Sequence, residues 1–419
     1  MNFQPPSRSL TTRDYLFIAV VSIFIIAVSA GLVYANLSLP KGGGDFLRHW
    51  AGARAFLFDR IDPYTLYVPN IVQGLVYGDS ARAGDEPFIL DTPFHLLLLY
   101  FPLSLLSDPM TARAIYALIL EWALLALAIL SLRLADWEAP RWFSVLFILF
   151  CFVNFFAFQA ILEASPVILL ALIYAGIILA MRNEQDELAG ALIALSVYYW
   201  EAGLPFLLLI SWRSYKEGRA RVLAGFGMIS VVLLAISLLL YPGWILPALR
   251  AGMNNFRADY GFSIFTVLRH VLPGYGNLPA WVFVVLLFVL LGYEWNKTLN
   301  GDSRRLYWVT CLTLAATPLL GFRTGMDNLA VLVVPLALVF AVIHDRWKGV
   351  GSFLNFLFIV LIFTAPWALY LFALPRYGVR AHQLLFLFLP VFTVLGLYWI
   401  RWWAIRPPRV WADAVNRKT

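Results

Sequence analysis

Long apolar runs recur along almost the whole of this 419-residue chain. An α-helix rises about 1.5 Å per residue, so roughly 20 apolar residues are needed to cross the hydrocarbon core of a bilayer. Several runs approach or reach that length, beginning with the one from Tyr15 to Tyr34. Backbone polar groups in lipid must find their partners within the segment, so such runs fold as helices. The sequence therefore predicts an all-α polytopic membrane protein.

Composition supports this class. Hydrophobic residues make up 62% of the chain and charged residues 13%, about half the charged share of a soluble domain. The formal charge is +7, but the basic residues cluster in short loops between apolar runs, which indicates membrane topology rather than nucleic-acid binding. Cys151 and Cys311 lie inside apolar segments, so neither a disulfide framework nor a metal site is expected, and no cofactor is expected. The first run exceeds the core of a cleaved signal peptide, which favours a retained first span.

We predict about twelve spans in a single transmembrane domain covering residues 1–419. They are residues 14–35, 110–134, 142–161, 164–182, 188–200, 201–213, 222–241, 279–297, 305–320, 327–345, 350–373 and 381–403. Residues 93–106 either cross the membrane or form a half-buried outer helix, and residues 188–212 form either one span or two short ones. The positive-inside rule favours the second choice in both cases, because Arg133, Arg141 and Arg182 then join the other inner cations. Both termini are then cytoplasmic.

This topology leaves two long outer loops, residues 36–109 and 242–278. Long ordered loops in a compact protein usually have a function. The first is too rich in aromatic residues and leucine to be disordered, so we expect it to form interfacial helices on the membrane surface.

Within the first loop, Gly42 to Gly44 precede Asp45, which is a good N-cap for a helix that runs to about Phe58. One face of this helix would be an apolar stripe lying in the interface, formed by Phe46, Trp50, Ala53 and Leu57. The opposite face would present Asp45, Arg48, His49 and Gly52. In a purely structural interpretation, Asp45 only caps the helix, and Arg48 and His49 contact water or lipid headgroups.

Several motifs, taken in order, resemble glycosyltransferase family 87, which includes the phosphatidylinositol-mannoside mannosyltransferases. Asp45-Phe46-x-x-x-Trp50 followed by Asp62-Pro63-Tyr64 resembles the first outer loop of that family. The similarity continues through Thr92-Pro93-Phe94, Phe101-Pro102-Leu103, Leu188-Ala189-Gly190, residues 254–268 with Asn255 and Ser263, and Ala316-Thr317-Pro318-Leu319 up to Pro335. It covers most of the chain.

The chain also departs from the family pattern. Family members often have a Gly-Gln pair where this chain has Glu163-Ala164-Ser165-Pro166. An expected lysine is replaced by Tyr198-Tyr199-Trp200 followed by Glu201, and an expected histidine by Asp327 and Asn328. These changes affect the identity of the donor and acceptor rather than the fold.

The resemblance implies a GT-C type bundle that takes a sugar, such as mannose, from a polyprenyl-phosphate donor to a lipid or glycan acceptor. It places the active site on the extracytoplasmic side of a bacterial plasma membrane and makes Asp45 the general base of an inverting transfer. Such a base takes the proton of the acceptor hydroxyl as the new bond forms.

Without a metal cluster, cations or backbone donors must stabilise the leaving phosphate. The candidates in the outer segments are Arg323, His270, Arg269 and Arg257, of which Arg323 is the first choice because it follows a proline-containing span. The candidates for acceptor or sugar contacts are Arg48, His49, Glu163, Glu201, Asp327 and Asn328. Each of these residues also has a structural interpretation as a cap, a local pair or a headgroup contact.

Two other classes stay open. A transporter or flippase of lipid-linked sugars would commonly show internal repeats and polar residues at the membrane midplane. No repeat is evident in this sequence, and the acids gather on the outer side. A non-catalytic scaffold would need Asp45 to act only as a cap.

Overall fold

The computed structural model describes residues 12–39, 42–82, 84–258, 260–299 and 303–405. Helices account for most of these residues, and no strand is found among them. The first half contains α1 (Thr12–Ser38), α2 (Gly44–Arg54), α3 (Tyr67–Val76), α4 (Phe94–Ser104), α5 (Pro109–Leu134), α6 (Arg141–Val153), α7 (Phe155–Leu162), α8 (Val167–Arg182) and α9 (Asp186–Ser196). The second half contains α10 (Trp200–Lys216), α11 (Ala220–Leu240), α12 (Ile245–Arg257), α13 (Ile264–Val271), α14 (Asn277–Thr298), α15 (Ser303–Ala316), α16 (Val333–Ala368), α17 (Leu374–Tyr377), α18 (Val379–Trp399) and α19 (Arg401–Ile405).

Six helical segments of the described chain are long and apolar enough to cross a membrane, or seven if the bent pair α6 and α7 counts as one. The class of a helical protein with apolar helices of spanning length is therefore confirmed, whereas the number of twelve spans is not. Helices α8, α9 and α15 have 16, 11 and 14 residues, which is too short for a simple crossing.

A break within one apolar run contributes to the lower number. Asn154 leaves the helical conformation between α6 and α7, and its side chain accepts a hydrogen bond from the Ala157 backbone N–H, so the two helices meet at 49°. Hydropathy alone does not detect this break, because the residues on both sides are apolar. The two predicted spans 327–345 and 350–373 form one long segment, in which α16 is interrupted at Lys348, where φ is 42°.

Helices α9 and α11 pack at unusually close range through two glycines. A Cβ atom on Gly190 would lie 2.0 Å from the Val222 carbonyl oxygen, and one on Gly225 would lie 2.4 Å from the Glu187 carbonyl oxygen. Small residues at such a crossing let two helix backbones approach directly. The segment from 188 to 212 forms two helices, as predicted, with the break between α9 and α10 at residues 197–199.

Helix α2, in the first long loop, is packed within the protein. Phe46 and Ala53 are completely buried and Trp50 is nearly so, because α2 packs against α4 and α5. The prediction that the apolar stripe lies in the interface is therefore wrong for these three residues, whereas Leu57, the fourth, is 37% exposed. An apolar helix face buries equally well against lipid or against protein, and its pattern does not distinguish the two.

The second long loop is tied to a late connection of the bundle. The backbone groups of Phe262 and Thr324 exchange two hydrogen bonds of 2.9 and 2.8 Å. This short antiparallel bridge brings the segment after α12 against the segment before α16. Residues from both segments thereby reach one cavity.

Candidate functional site

A polar cavity of about 310 Å³ lies where the ends of several helices meet. Its wall contains six acidic residues and three basic ones, and we call it the acidic pocket. The acidic residues are Asp45, Glu86, Asp91, Glu163, Glu201 and Asp327, and the basic ones are Arg48, Arg323 and His382. Gln159, Asn255, Tyr260 and Asn328 add uncharged polar groups. The pocket thus collects polar side chains from segments as far apart as α2 and α18.

Asp45 reaches the pocket from the first turn of α2, and it is not the N-cap that the sequence predicts. The N-cap is Gly43, in the left-handed region at φ 87°, and no side chain of its own segment caps the helix. Instead, Glu163 Oε2 accepts hydrogen bonds from the backbone N–H groups of Gly43 at 3.2 Å and Gly44 at 3.4 Å. Because a distant carboxylate caps the helix, the Asp45 side chain is available to the pocket.

The glycines before Asp45 are required by close packing. A Cβ atom on Gly44 would lie 2.1 Å from a ring carbon of Phe88, and one on Gly43 would lie 2.4 Å from Arg113 Cδ. Gly43 also has the positive φ that residues with a side chain adopt only at a cost. The start of α2 is therefore fixed against two neighbouring segments, which fixes the position of Asp45.

Arg48 links two carboxyl groups in the wall of the pocket. Its Nη2 lies 2.8 Å from Asp45 Oδ1, and its Nη1 donates to Glu86 Oε1 at 3.3 Å. Burial raises the pKa of Glu86 to about 8, and the charges of Asp45 and Asp327 add to this rise, while Arg48 opposes it. At neutral pH Glu86 is therefore protonated, and Asp45 is the carboxylate that forms the ion pair with the Arg48 guanidinium. Asp45 Oδ2 makes no hydrogen bond with the part of the chain that the structure describes.

His49 lies behind the pocket wall rather than in it. The imidazole is 1% exposed, stacks on the Tyr100 ring at 4.7 Å, and places Nδ1 2.7 Å from the Asp45 carbonyl oxygen. Burial, with the Arg48 charge, lowers the pKa of His49 to about 3. Since a carbonyl only accepts, the neutral ring donates from Nδ1. The structure therefore does not bring His49 to the sugar-binding position predicted from the sequence, because α2 turns this face towards α4.

Another part of the wall contains Asp327 and Asn328. Asp327 Oδ2 accepts a hydrogen bond of 2.6 Å from the Ser165 hydroxyl. The Asn328 amide donates to Thr324 Oγ1 at 2.8 Å, and its Oδ1 is buried without a hydrogen-bond partner. A buried acceptor without a partner costs free energy unless a ligand or water donates to it. Asn328 thus provides a position where a ligand donor would be stabilised.

A third part of the wall is held together by amide and phenol groups. Asn255 Nδ2 donates to Asp91 Oδ2 at 2.7 Å, and the Tyr260 hydroxyl donates to Asn255 Oδ1, also at 2.7 Å. Glu201, at the start of α10, also lines the cavity. The sequence-predicted residues Asp45, Arg48, Glu163, Glu201, Asp327 and Asn328 therefore all meet in one pocket.

Arg323 also lines the pocket, but most of its donors are used within the protein. Its Nη1 donates to the Ala258 carbonyl, its Nη2 donates to the Asn255 carbonyl at 2.7 Å, and the guanidinium lies over the Tyr260 ring at 4.0 Å. Arg323 therefore caps the C-terminus of α12 and at the same time exposes part of its charge to the cavity.

The other predicted phosphate-binding cations lie outside the pocket. Arg257, Arg269 and His270 are all exposed. Arg269 and His270 contact carbonyl oxygens of their own helix α13. The short helix turns these side chains away from the cavity, which the sequence pattern of a loop does not reveal.

The sequence analysis does not predict Glu86, Asp91 or Tyr260 as site residues. Glu86 and Asp91 belong to the first long loop, close in sequence to Thr92-Pro93, so their placement in that loop was the only available indication. Among the described residues, no group of three or more His, Cys, Asp or Glu side chains is arranged to hold a metal ion.

No model of a known protein family, no curated protein and no solved structure matches the chain. The resemblance to glycosyltransferase family 87 stays a prediction from the sequence motifs.

Proposed function

We propose that the protein is an inverting glycosyltransferase that moves a hexose such as mannose from a polyprenyl-phosphate donor to a lipid or glycan acceptor. The observation that carries this proposal is the Asp45 carboxylate, which lines a polar cavity with one oxygen held by Arg48 and the other without a hydrogen bond to any described residue. A carboxylate positioned in this way can accept a proton from a bound hydroxyl group.

The reaction is a single displacement. As Asp45 Oδ2 takes the proton of the acceptor hydroxyl, the hydroxyl oxygen forms a bond to the anomeric carbon of the donor sugar. The bond between that carbon and the phosphate oxygen breaks, and its electron pair leaves with the lipid phosphate. Attack from the face opposite the leaving group inverts the anomeric configuration.

The lining of the acidic pocket suits a polyhydroxylated ligand. Carboxylates and the unpartnered Asn328 oxygen accept hydrogen bonds from sugar hydroxyls. Arg323 is the cation of the wall that is not held by Asp45, and it would attract the donor phosphate, with the His382 imidazole as a further hydrogen-bond donor. Apolar helices with exposed side chains provide a surface along which the polyprenyl chain can lie.

The GT-C type of bundle, the extracytoplasmic position of the pocket and the bacterial plasma membrane belong to the same proposal. They are supported by the order of the family-like motifs and by the distribution of basic residues between apolar runs. A flippase of lipid-linked sugars is the alternative, and the observation that favours it is the pair of broken helices, α6 with α7 and α16, since transporters often use interrupted spans.

The test is transfer by the purified protein in vesicles that contain a labelled polyprenyl-phosphate mannose and candidate lipid acceptors. We expect Asp45→Asn to lower the rate of transfer about 10²–10⁴-fold, because the amide cannot accept the proton. Asp79→Asn is the matched control, since Asp79 is exposed outside the pocket. Unchanged transfer by Asp45→Asn would overturn the assignment of the base. Movement of the donor between leaflets without transfer would favour the flippase.

A further inference from the structure

A second cavity, of about 980 Å³, lies where α5, α8 and α10 end and α11 and α15 begin. Five arginines line it against three acidic residues, and we call it the arginine pocket. Its arginines are Arg182, Arg213, Arg219, Arg221 and Arg304. None of these residues belongs to the acidic pocket. The excess of arginine indicates an anionic ligand.

Three of the arginines are held by acids of the same region. Arg182 Nη2 lies 2.9 Å from Asp136 Oδ2, Arg219 pairs with Asp186, and Arg213 Nε lies 2.5 Å from Glu217 Oε1. These pairs fix the side chains around the cavity. Two more, Arg221 and Arg304, are exposed and form no ion pair within the described residues. Their charges are available to a ligand.

Two buried polar atoms of the lining also have no hydrogen-bond partner. Arg213 Nη1 and Thr310 Oγ1 are both buried and unsatisfied, in residues that are 9% and 1% exposed. A buried guanidinium nitrogen without an acceptor costs more than a neutral group would, because it carries charge. An anionic oxygen in the cavity would satisfy Arg213, and the Thr310 hydroxyl can donate to the same group. Guanidinium and hydroxyl donors together are typical of phosphate recognition.

The surroundings of the cavity favour a phosphate carried by a lipid. Helix α11 begins at the cavity with Arg221 in its first turn. Further along, its side chains are largely exposed and apolar, as with Val231 and Leu239 at 66% and 83%. Such a helix in a membrane protein faces the acyl chains of the bilayer. Basic pockets between membrane helices are known as sites for anionic lipid headgroups.

We propose that the arginine pocket binds the phosphate headgroup of an anionic phospholipid, whose acyl chains lie along α11. The phosphate oxygens contact Arg213 and Thr310 in the cavity, and Arg221 and Arg304 contact it from the rim. This site is independent of sugar transfer in the acidic pocket.

The test uses the full chain in mixed micelles that contain phosphatidylglycerol and phosphatidylcholine, with retained lipids counted by native mass spectrometry. We expect the wild type to retain phosphatidylglycerol in preference to phosphatidylcholine. Arg221→Gln and Arg304→Gln should each lower this retention about fivefold, the loss typical of one cation near an anionic headgroup. Both positions are exposed, so the variants are expected to fold. Arg141→Gln is the matched control, because Arg141 is exposed at the start of α6 and outside the cavity.

Equal retention of the two lipids by the wild type would overturn the proposal. So would unchanged retention in both pocket variants, or an equal loss in Arg141→Gln. A further arm adds inorganic phosphate in place of phosphatidylglycerol and measures thermal unfolding. Equal stabilisation by inorganic phosphate would reject the lipid as the source of the phosphate, whereas stabilisation by phosphatidylglycerol alone supports it.

Discussion

The acidic pocket and the arginine pocket lie at opposite ends of the same helix. Helix α10 contributes Glu201 to the first and Arg213 to the second, and twelve residues of helix correspond to about 18 Å. The acidic pocket is the smaller of the two and is assembled by contacts between distant segments, such as Glu163 with Gly43. The arginine pocket is formed by the ends of successive helices, and acids close by hold several of its cations.

This difference separates two ways of placing charge in a membrane protein. The cations follow the positive-inside rule, which depends only on how many basic residues each connection between spans contains. A count of basic residues therefore predicts the end of the bundle at which the cations lie. The acids have no such rule, and each must be stabilised in its own position by a specific partner. We therefore expect substitutions at the acidic end to change function through geometry, and substitutions at the arginine end to change stability or lipid binding.

The largest expected effect is a loss of stability at the arginine end, in Glu294→Ala. Glu294, in the last part of α14, has a side chain that is 4% exposed and lies 2.6 Å from Arg401 Nη2 and 3.6 Å from Arg305 Nη2. Removing it takes away the carboxylate that pairs with Arg401 and also lies near Arg305, and breaking a buried ion pair of this kind typically costs about 3–5 kcal/mol. The free energy of unfolding in a denaturant series measures this loss.

The control for Glu294 is Glu138→Ala, at an exposed position. It should change stability by no more than about 0.5 kcal/mol. The folded fraction of Glu294→Ala should still transfer sugar at the wild-type rate, because the acidic pocket is untouched. A loss of transfer that exceeds the loss of folded protein would contradict the separation of the two ends.

Gly44→Ala should have the next largest effect, at the acidic end. The new methyl group would overlap the Phe88 ring, and overpacking of this kind costs about 1–3 kcal/mol. The start of α2 must shift to relieve it, which moves Asp45, and a displacement of about 1 Å at a catalytic group can lower the rate about 100-fold. The measurements are thermal unfolding and the rate of transfer.

Gly74→Ala is the matched control for Gly44→Ala. Gly74 is also a helical glycine, in α3, but a Cβ atom there would meet no atom within 4 Å. Alanine favours the helix more than glycine does, so this variant should be at least as stable as the wild type. If Gly44→Ala were equally harmless, the close packing around Asp45 would not hold the carboxylate in place.

The class of the fold, helical with apolar helices of spanning length, was predictable from the sequence, because apolar runs of this kind follow from the properties of the bilayer. The chemical types in the site were also predictable, since Asp45, Glu163, Glu201 and Asp327 are rare acids beside apolar segments. Their arrangement was not. Capping of α2 by Glu163 joins residues 120 positions apart, and no local pattern encodes such a pair.

Orientation was the other gap in prediction. Whether α2 presents His49 to the cavity or to Tyr100 depends on the neighbours of the helix and not on its own periodicity. The orientation of Arg269 and His270 on α13 likewise depends on the neighbours of that helix. Sequence position alone makes these two residues as good candidates for phosphate binding as Arg323. Residue type and sequence position identify candidates, but only tertiary packing decides which of them share a cavity.

Glu86→Gln should change the pH dependence of the acidic end alone. The raised pKa of Glu86, about 8 against 4.5 for an exposed glutamate, means that the folded protein holds a proton that the unfolded chain releases. The contribution of Glu86 to stability is therefore fully present below about pH 4.5 and is lost as the pH rises through about 8. Above that pH a new negative charge also competes with Asp45 for Arg48 and repels the donor phosphate.

In the wild type, transfer should therefore decline above about pH 8, with a rise in the KM for the donor. Glu86→Gln should lessen this decline, because glutamine stays neutral, and should leave transfer at pH 6.5 near the wild-type rate. Phosphatidylglycerol retention at the arginine pocket should not differ between the two proteins at any pH. An unchanged decline in the variant would assign the titration to another group.

The smallest expected effect is that of His49→Phe, which tests whether the wall behind Asp45 is sensitive to acid. Phenylalanine keeps an aromatic ring against Tyr100 but loses the hydrogen bond to the Asp45 carbonyl oxygen, a loss of about 1 kcal/mol at neutral pH. The pKa of His49 is lowered from 6.5 to about 3, so its stabilising effect is complete above pH 6.5 and is lost as the pH falls towards 3. The difference in unfolding free energy between wild type and variant should therefore shrink, or change sign, between pH 7 and pH 4.5. The carboxylates titrate in both proteins, so their effects on the unfolding free energy cancel in this comparison. A difference that stays constant over that range would place the imidazole in contact with water. The wall behind Asp45 would then be open on both sides.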